Sequence, residues 1–246
     1  MQNEWFSSWF DTPYYHTLYK NRDTREACVF IDHLTQFLQL NTNAKCWDLC
    51  CGKGRHSIYL NKKGYSVEGT DLSSQSIKEA NKHANETLRF YEHDMRNTFR
   101  ENHFDTVLNL FTSFGYFDNK EDDLKVFSSV QKSLKNDGFF IVDFLNSQYV
   151  HRSLIESDMK EIDGIKFYIT KMIQNNMVVK KINFSDKGKD FQFEERVHLY
   201  DKIYFETLAK QSGLKLTHTF GNYQLDNFDE SVSPRLILVF KKTNHL

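Results

Sequence analysis

Residues 46–56 read Cys46-Trp47-Asp48-Leu49-Cys50-Cys51-Gly52-Lys53-Gly54-Arg55-His56. The apolar run from Ala44 to Leu49 predicts a buried strand. Cys50 to Arg55 predicts a glycine-containing turn, and Ser57 to about Lys63 a helix that Gly64 ends. Gly52 and Gly54 carry no Cβ, so the backbone of that turn can approach a ligand closely. The first turn of the following helix adds N–H donors at the same place.

The rhythm of strand, turn and helix continues outward. Tyr65 to Thr70 predicts a second strand, with Ser73 capping a helix to about Glu86. Leu88 to Glu92 and Phe104 to Leu110 predict the third and fourth strands. Asn119 to Leu134 reads as a helix, then Asn136-Asp137-Gly138 turns the chain into a fifth strand, Phe139 to Phe144, wholly apolar apart from Asp143. Strands that are continuous apolar runs are buried on both faces, so these elements imply a doubly wound parallel α/β sheet.

After about residue 150 the pattern changes. Residues 165–173, 176–184 and 190–199 predict three strands with no helix between them. Asn175-Asn176 and Asp186-Lys187-Gly188 serve as turns, which gives an antiparallel insertion or lid. Asp201 to Gly213 then predicts a helix, and Leu214 to Phe220 and Leu236 to Lys242 the closing strands. At the other end, residues 1–20 hold seven aromatic side chains, from Trp5 to Tyr19, and predict an ordered arm. Residues 24–40 predict an amphipathic helix with Thr24 as N-cap, and Thr243 to Leu246 a frayed tail. The expected organisation is an arm and helix over the site (1–40), a core (41–150 and 200–246) and an insertion (151–199).

Asp48, Asp71 and Asp94 fall at or near the ends of three successive strands, on the sheet edge where open α/β folds bind ligands. A carboxylate at Asp71 can accept from both hydroxyls of a ribose. Asp94 can accept from an exocyclic amine, and Met95 can pack on the ring beside it. Three acids repel a pyrophosphate and suit a nucleoside that carries a sulfonium.

These segments together resemble a class I S-adenosylmethionine-dependent methyltransferase. Asp48-Leu49-Cys50-Cys51-Gly52-Lys53-Gly54 is similar to the family's acid-x-Gly-x-Gly-x-Gly loop, with Cys50 in place of the first glycine. Glu68-Gly69-Thr70-Asp71-Leu72-Ser73 resembles its ribose segment, and Glu92-His93-Asp94-Met95 its adenine segment. Asn109-Leu110-Phe111-Thr112-Ser113-Phe114-Gly115-Tyr116 sits where the fourth strand reaches the methyl and the acceptor. The resemblance covers residues 44–145 and extends to the last two strands. It implies a Rossmann-like, doubly wound, seven-stranded, mostly parallel sheet with a small antiparallel insertion after the fifth strand. It also implies S-adenosyl-L-methionine as cofactor and S-adenosyl-L-homocysteine as product. The expected cofactor-binding residues are Tyr19, Asp48, Cys50, Gly52, Gly54, Asp71, Leu72, Asp94, Met95, Asn109 and Leu110.

Transfer from a sulfonium is a direct displacement that needs proximity and desolvation and no nucleophilic side chain. If a proton must be removed, Tyr116, His16 and His56 are candidates by residue type, each weighed against a structural role. Aromatic faces from the arm and from Phe111, Phe114, Tyr116 and Phe117 would shelter a cationic donor.

Composition narrows the acceptor. The chain has 246 residues, 39% hydrophobic and 26% charged, with net charge −1. There is no basic surplus for nucleic acid or an anionic membrane surface. The Asn/Asp-Pro-Pro-Tyr pattern of base amino methylases is absent after Asn109. A small molecule with an N or O acceptor is expected. No apolar run reaches membrane-span length, and the first residues do not order as a signal peptide, so a cytoplasmic protein is expected. Four cysteines without a Cys-x-x-Cys pair argue against a metal site. A homodimer is left open. The alternatives are a non-catalytic cofactor-binding or interaction module, and an NAD-dependent oxidoreductase, whose fingerprint would lack its third glycine here.

Overall fold

A computed structural model describes residues 5–20 and 24–243, with the side chains of Ser7 and Thr24 outside the description. The chain opens with helices α1 (Trp5–Phe10), α2 (Pro13–Leu18) and α3 (Thr24–Phe37). Then follow β1 (Lys45–Leu49), α4 (Arg55–Lys62), β2 (Ser66–Asp71), α5 (Ser74–Ala80), β3 (Leu88–Glu92), β4 (Phe104–Asn109), α6 (Lys120–Ser133) and β5 (Leu134–Leu145). Next come α7 (Ser147–Ser153), β6 (Ser157–Ile162), β7 (Ile165–Gln174), β8 (Met177–Asp186) and β9 (Lys189–His198). The chain closes with α8 (Lys202–Ser212), β10 (Leu214–Phe220) and β11 (Arg235–Lys242).

The main sheet has seven strands in the order β10-β11-β5-β4-β1-β2-β3. Its β1 to β5 pairs are parallel, and β11 runs antiparallel to both β5 and β10. The order reverses between β1 and β4, which opens a crevice at the carboxyl ends of those strands. Both faces are covered. Trp47, Val107, Phe127, Phe140 and Phe205 fill one side, and Phe30, Ile31, Leu60, Val67 and Ile237 the other. This is the burial that continuous apolar strands require.

The second sheet is antiparallel, in the order β6-β7-β8-β9. It has four strands rather than the three expected. The missed strand, β6 (SDMKEI), is an edge strand exposed along nearly its whole length, so it lacks the apolar alternation that marks a half-buried strand. The helix α7 was also not anticipated; Asn146 caps it, its side chain accepting from the Gln148 N–H. The helix after Ser73 ends at Ala80 and continues only as a single tight turn, Asn81–His83, short of the expected Glu86. Ser73 itself caps as expected, its hydroxyl accepting from the Ser76 N–H. The structure starts α3 at Thr24, whose side chain, and so its expected capping role, lies outside the described residues, as do residues 244–246 of the tail.

The arm is two short helices. Thr12 caps α2 with Pro13 in the first helical position, where a missing N–H costs nothing. Trp9 and Leu18 bury against Phe167, Ile169, Ile182 and Phe184 of the second sheet, while Phe6 joins the main core. The arm is thus wedged between the insertion and the carboxyl edge of the main sheet.

Candidate active site

The glycine turn takes a conformation its residues do not all favour. Cys50 has φ 63°, Gly52 56° and Gly54 80°. Cys50, in the place of a glycine, therefore carries left-handed strain of ~1–2 kcal/mol. Its thiol lies 3.5 Å from the Met95 sulfur, and burial pushes that thiol up. The turn is held by the Cys51 N–H donating to the Thr70 carbonyl at 2.9 Å and by the Gly54 N–H donating to the Cys51 carbonyl at 3.0 Å.

The two glycines do different work. A Cβ on Gly54 would stand 2.6 Å from the Phe90 ring, whereas a Cβ on Gly52 would meet nothing within 4 Å. Gly54 is a packing glycine; Gly52 faces open space.

Asp48 points inward. It is 1% exposed and accepts from the Ser57 N–H at 3.1 Å and the Ser57 hydroxyl at 2.5 Å. Burial pushes its carboxyl up to about 6, against the pull of Ser57. It fastens the first turn of α4 to β1 from behind the cavity.

Asp71 stays at the rim. Its oxygens accept from the Gly52 N–H at 2.8 Å and the Ser73 N–H at 2.9 Å, which orients the carboxylate across the glycine turn. Burial pushes its pKa above the ordinary value although those N–H groups oppose it. Asp94 is also at the rim, but Arg96 grips it: Nε lies 3.0 Å from both oxygens and Nη2 2.6 Å from Oδ2. Burial raises its pKa, and the bonds and charge of Arg96 more than offset this, leaving it below the ordinary value.

A cavity of about 540 Å³ joins these groups. Of the residues singled out from the sequence, Cys50, Gly52, Asp71, Leu72, Asp94, Met95, Leu110 and Tyr19 line it, together with His16, His56 and Tyr116. Asp48, Gly54 and Asn109 do not line it. Asn109 is buried behind the wall, its Nδ2 donating to the carbonyls of Leu49 and Ser113 at 3.3 Å each.

The arm forms part of the wall through Phe6, Phe10, Tyr15, His16 and Tyr19. Asp11 ties it to α5, accepting from the Ser73 hydroxyl at 2.6 Å and the Gln75 N–H at 3.1 Å. On the other side Glu195 accepts from Trp9 Nε1 at 2.8 Å and from the Tyr19 hydroxyl at 2.7 Å, and pairs with Lys180 at 3.3 Å. His16 is pushed down to about 4, first by burial and then by the charge of Lys53, while Asp11 and Glu79 pull the other way. It is neutral at pH 7, and its Nε2 is buried without a hydrogen-bond partner among the described residues.

Beyond β4 the chain turns through two consecutive left-handed residues that are not glycine, Phe111 (φ 56°) and Thr112 (φ 61°). Holding both costs ~2–4 kcal/mol. Phe111 stacks on His56 with ring centroids 5.0 Å apart, and the Arg55 guanidinium lies 4.6 Å over its face. The Tyr116 hydroxyl donates to the Thr112 carbonyl, and its ring meets Trp5 edge-on at 5.6 Å. The groups that hold this turn, Asp143, Arg235 and Tyr223, were not picked out as site residues. A lone acid in the apolar fifth strand was the available signal.

Comparison with known proteins fits this geometry. The family described as "Methyltransferase domain" matches residues 47–138. The putative methyltransferase YqeM of Bacillus subtilis is 30% identical over 224 residues, covering 86% of this chain and 90% of its own. An S-adenosylmethionine-dependent methyltransferase from Clostridium acetobutylicum superposes with a TM-score of 0.78 at 22% identity, over 94% of this chain and 96% of that one. The sugar N-methyltransferase KedS8 from Streptoalloteichus sp. superposes with a TM-score of 0.75 at 15% identity, over 94% and 93%. With its seven-stranded sheet and glycine turn, the chain belongs to the class I, Rossmann-like S-adenosylmethionine-dependent methyltransferases.

Proposed function

We propose that this protein transfers a methyl group from S-adenosylmethionine to an N or O atom of a small molecule by direct in-line displacement. The observation that carries the reading is the single cavity in which the glycine turn, Asp71, the Asp94-Met95 pair and the turn after β4 meet. The site fits the cofactor: Gly52 leaves open the space a side chain would fill, and the Asp71 carboxylate is already oriented by two backbone donors. When bound, S-adenosylmethionine supplies an electrophilic methyl on a sulfonium.

The chain's own groups bind and orient. Asp71 accepts from the ribose hydroxyls. Asp94 and Met95 take the adenine side, with Arg96 fixing the Asp94 carboxylate. Cys50, Leu72, Leu110 and Tyr19 complete the cofactor walls, and Asp48, Gly54 and Asn109 support them from behind. Of the arm and helix (1–40), Phe6, Phe10, Tyr15, His16 and Tyr19 wall the cavity of the core (41–150 and 200–246) and shield it from water, which strengthens every electrostatic contact inside, while the insertion (151–199) holds the arm from its far side. Tyr116 spends its hydroxyl on Thr112. Of the three candidates for proton transfer, His16 and His56 remain on the cavity wall, and burial keeps His16 neutral. An acceptor small enough to share a roofed cavity, the net charge of −1 and the likeness to a sugar N-methyltransferase all support a small-molecule substrate.

Isothermal calorimetry with S-adenosylmethionine, with NAD as control, tests the cofactor. Saturable binding of the methyl donor alone is expected, followed by transfer from tritiated donor in a screen of small amines and hydroxyl compounds. Absence of donor binding by the folded chain would overturn the reading.

A further inference from the structure

Asp143 is the single charged side chain between Phe139 and Leu145 of β5, is fully buried, and collects bonds from three places. Its Oδ2 accepts from the Phe111 N–H at 2.8 Å and the Tyr223 hydroxyl at 3.3 Å. Its Oδ1 takes Arg235 Nε at 2.8 Å and Nη2 at 2.7 Å. The Asp143 carbonyl accepts from the Thr112 N–H at 3.0 Å, and Arg235 Nη2 reaches on to the Thr112 hydroxyl at 2.9 Å.

Every one of these bonds, apart from that to Tyr223, ends on or braces the two residues with positive φ. A buried ion pair is weak as pure stabilisation, since apolar residues of similar volume often replace it without loss. Here the pair meets a geometric need: the carboxylate bonds the Phe111 N–H and Arg235 bonds the Thr112 hydroxyl, while the Asp143 main-chain carbonyl takes the Thr112 N–H, so both left-handed residues are held from one strand position. What the turn positions is the cavity wall. Phe111 carries His56 and Arg55 on its face, and the Thr112 carbonyl receives the hydroxyl of Tyr116, whose ring supports Trp5 and Phe10 of the arm.

We propose that Asp143, clamped by Arg235, is the positioning residue of the methyl-transfer end of the cavity. It holds the Phe111-Thr112 turn in the conformation that sets both the Phe111–His56–Arg55 wall and the Tyr116 support of the roof. It acts through that turn and touches no ligand itself. The inference rests on the reading that the cavity binds S-adenosylmethionine.

The test uses the full chain and three variants: Asp143→Asn, the pair Asp143→Leu with Arg235→Met, and Thr112→Val, which removes only one bond and leaves the core intact. The first readout needs no ligand. The ring current of Phe111 shifts the His56 Hε1 resonance, so a displaced turn moves that signal, by least in Thr112→Val. The second is the affinity for S-adenosylmethionine set against the thermal midpoint. The paired variant is expected to recover the midpoint of the parent while binding the donor about tenfold more weakly. A purely structural role predicts that stability and binding recover together, and that result overturns the proposal. An unmoved His56 signal in any folded variant overturns it too. If the parent itself fails to bind the donor, the proposed function falls, and the His56 signal still decides the positioning role.

Discussion

Gly52 and Gly54 sit two residues apart, both at positive φ, and alanine at each should fail in a different way. At Gly54 the new methyl would lie 2.6 Å from Cε1 and Cζ of Phe90 and 3.5 Å from the Ala80 Cβ. Phe90 is 5% exposed, so its ring has little room to retreat. Overpacking of this kind costs ~1–3 kcal/mol, and the left-handed backbone adds ~1–2 kcal/mol. The Gly54→Ala variant should therefore lose about 2–5 kcal/mol, which in a chain of this size lowers the melting midpoint by roughly 4–20 °C. At Gly52 the methyl meets nothing within 4 Å. Its cost is the backbone term alone, partly offset by the stiffer unfolded chain, and comes to about 1 kcal/mol or 2–4 °C. That empty space belongs to the cavity, so Gly52→Ala should instead weaken S-adenosylmethionine binding at least tenfold. Thermal melts and calorimetry on both variants decide the matter. Equal destabilisation by the two, or a Gly52→Ala variant that binds the donor like the parent, would refute the division of roles.

Two other perturbations read different parts of the structure. Asp123 is buried and accepts from the Tyr200 and Tyr204 hydroxyls at 2.6 and 2.7 Å; burial pushes it up from the ordinary 3.8 to about 6 although those hydroxyls oppose the shift. Between roughly pH 4 and 6 the folded state then holds a proton that the unfolded state has lost, so this group's contribution to stability falls as pH rises through that window and is level above it. Denaturant titrations from pH 4 to 7 should show that slope in the parent and lose it in Asp123→Asn; parallel profiles would sink the assignment. Glu195→Gln should strip the charge from the cluster that joins Trp9, Tyr19 and Lys180. It leaves the mostly buried Lys180 without its carboxylate, at a cost of about 3 kcal/mol. Hydrogen exchange should accelerate across residues 5–20 with little change in β1–β5, and an unchanged arm would contradict the role given to Glu195.

Much of this protein was legible in its sequence because the informative signals are local. Five apolar strands alternating with helices encode the doubly wound sheet, and a strand, a glycine turn and a helix in succession encode the ligand edge. Asp71 could be placed at the rim because a strand end and a helix cap, Ser73, fall within three residues of each other. What sequence could not show is where side chains point once distant segments meet. Asp48 and Asp71 look equivalent along the chain, yet one turns inward to Ser57 and the other faces the cavity. Asp94 reads as a free acceptor until Arg96 folds back on it. The edge strand β6 has no apolar period to betray it, since its pairing is made by backbone bonds to β7. Asp143 meets Arg235 only because β11 inserts beside β5, and Tyr19 meets Glu195 only because the arm wedges under the second sheet. Periodicity and turn chemistry act over a few residues and determine the fold. Burial, charge pairing and the shape of the cavity depend on contacts between segments far apart in the chain, and these the tertiary structure alone decides.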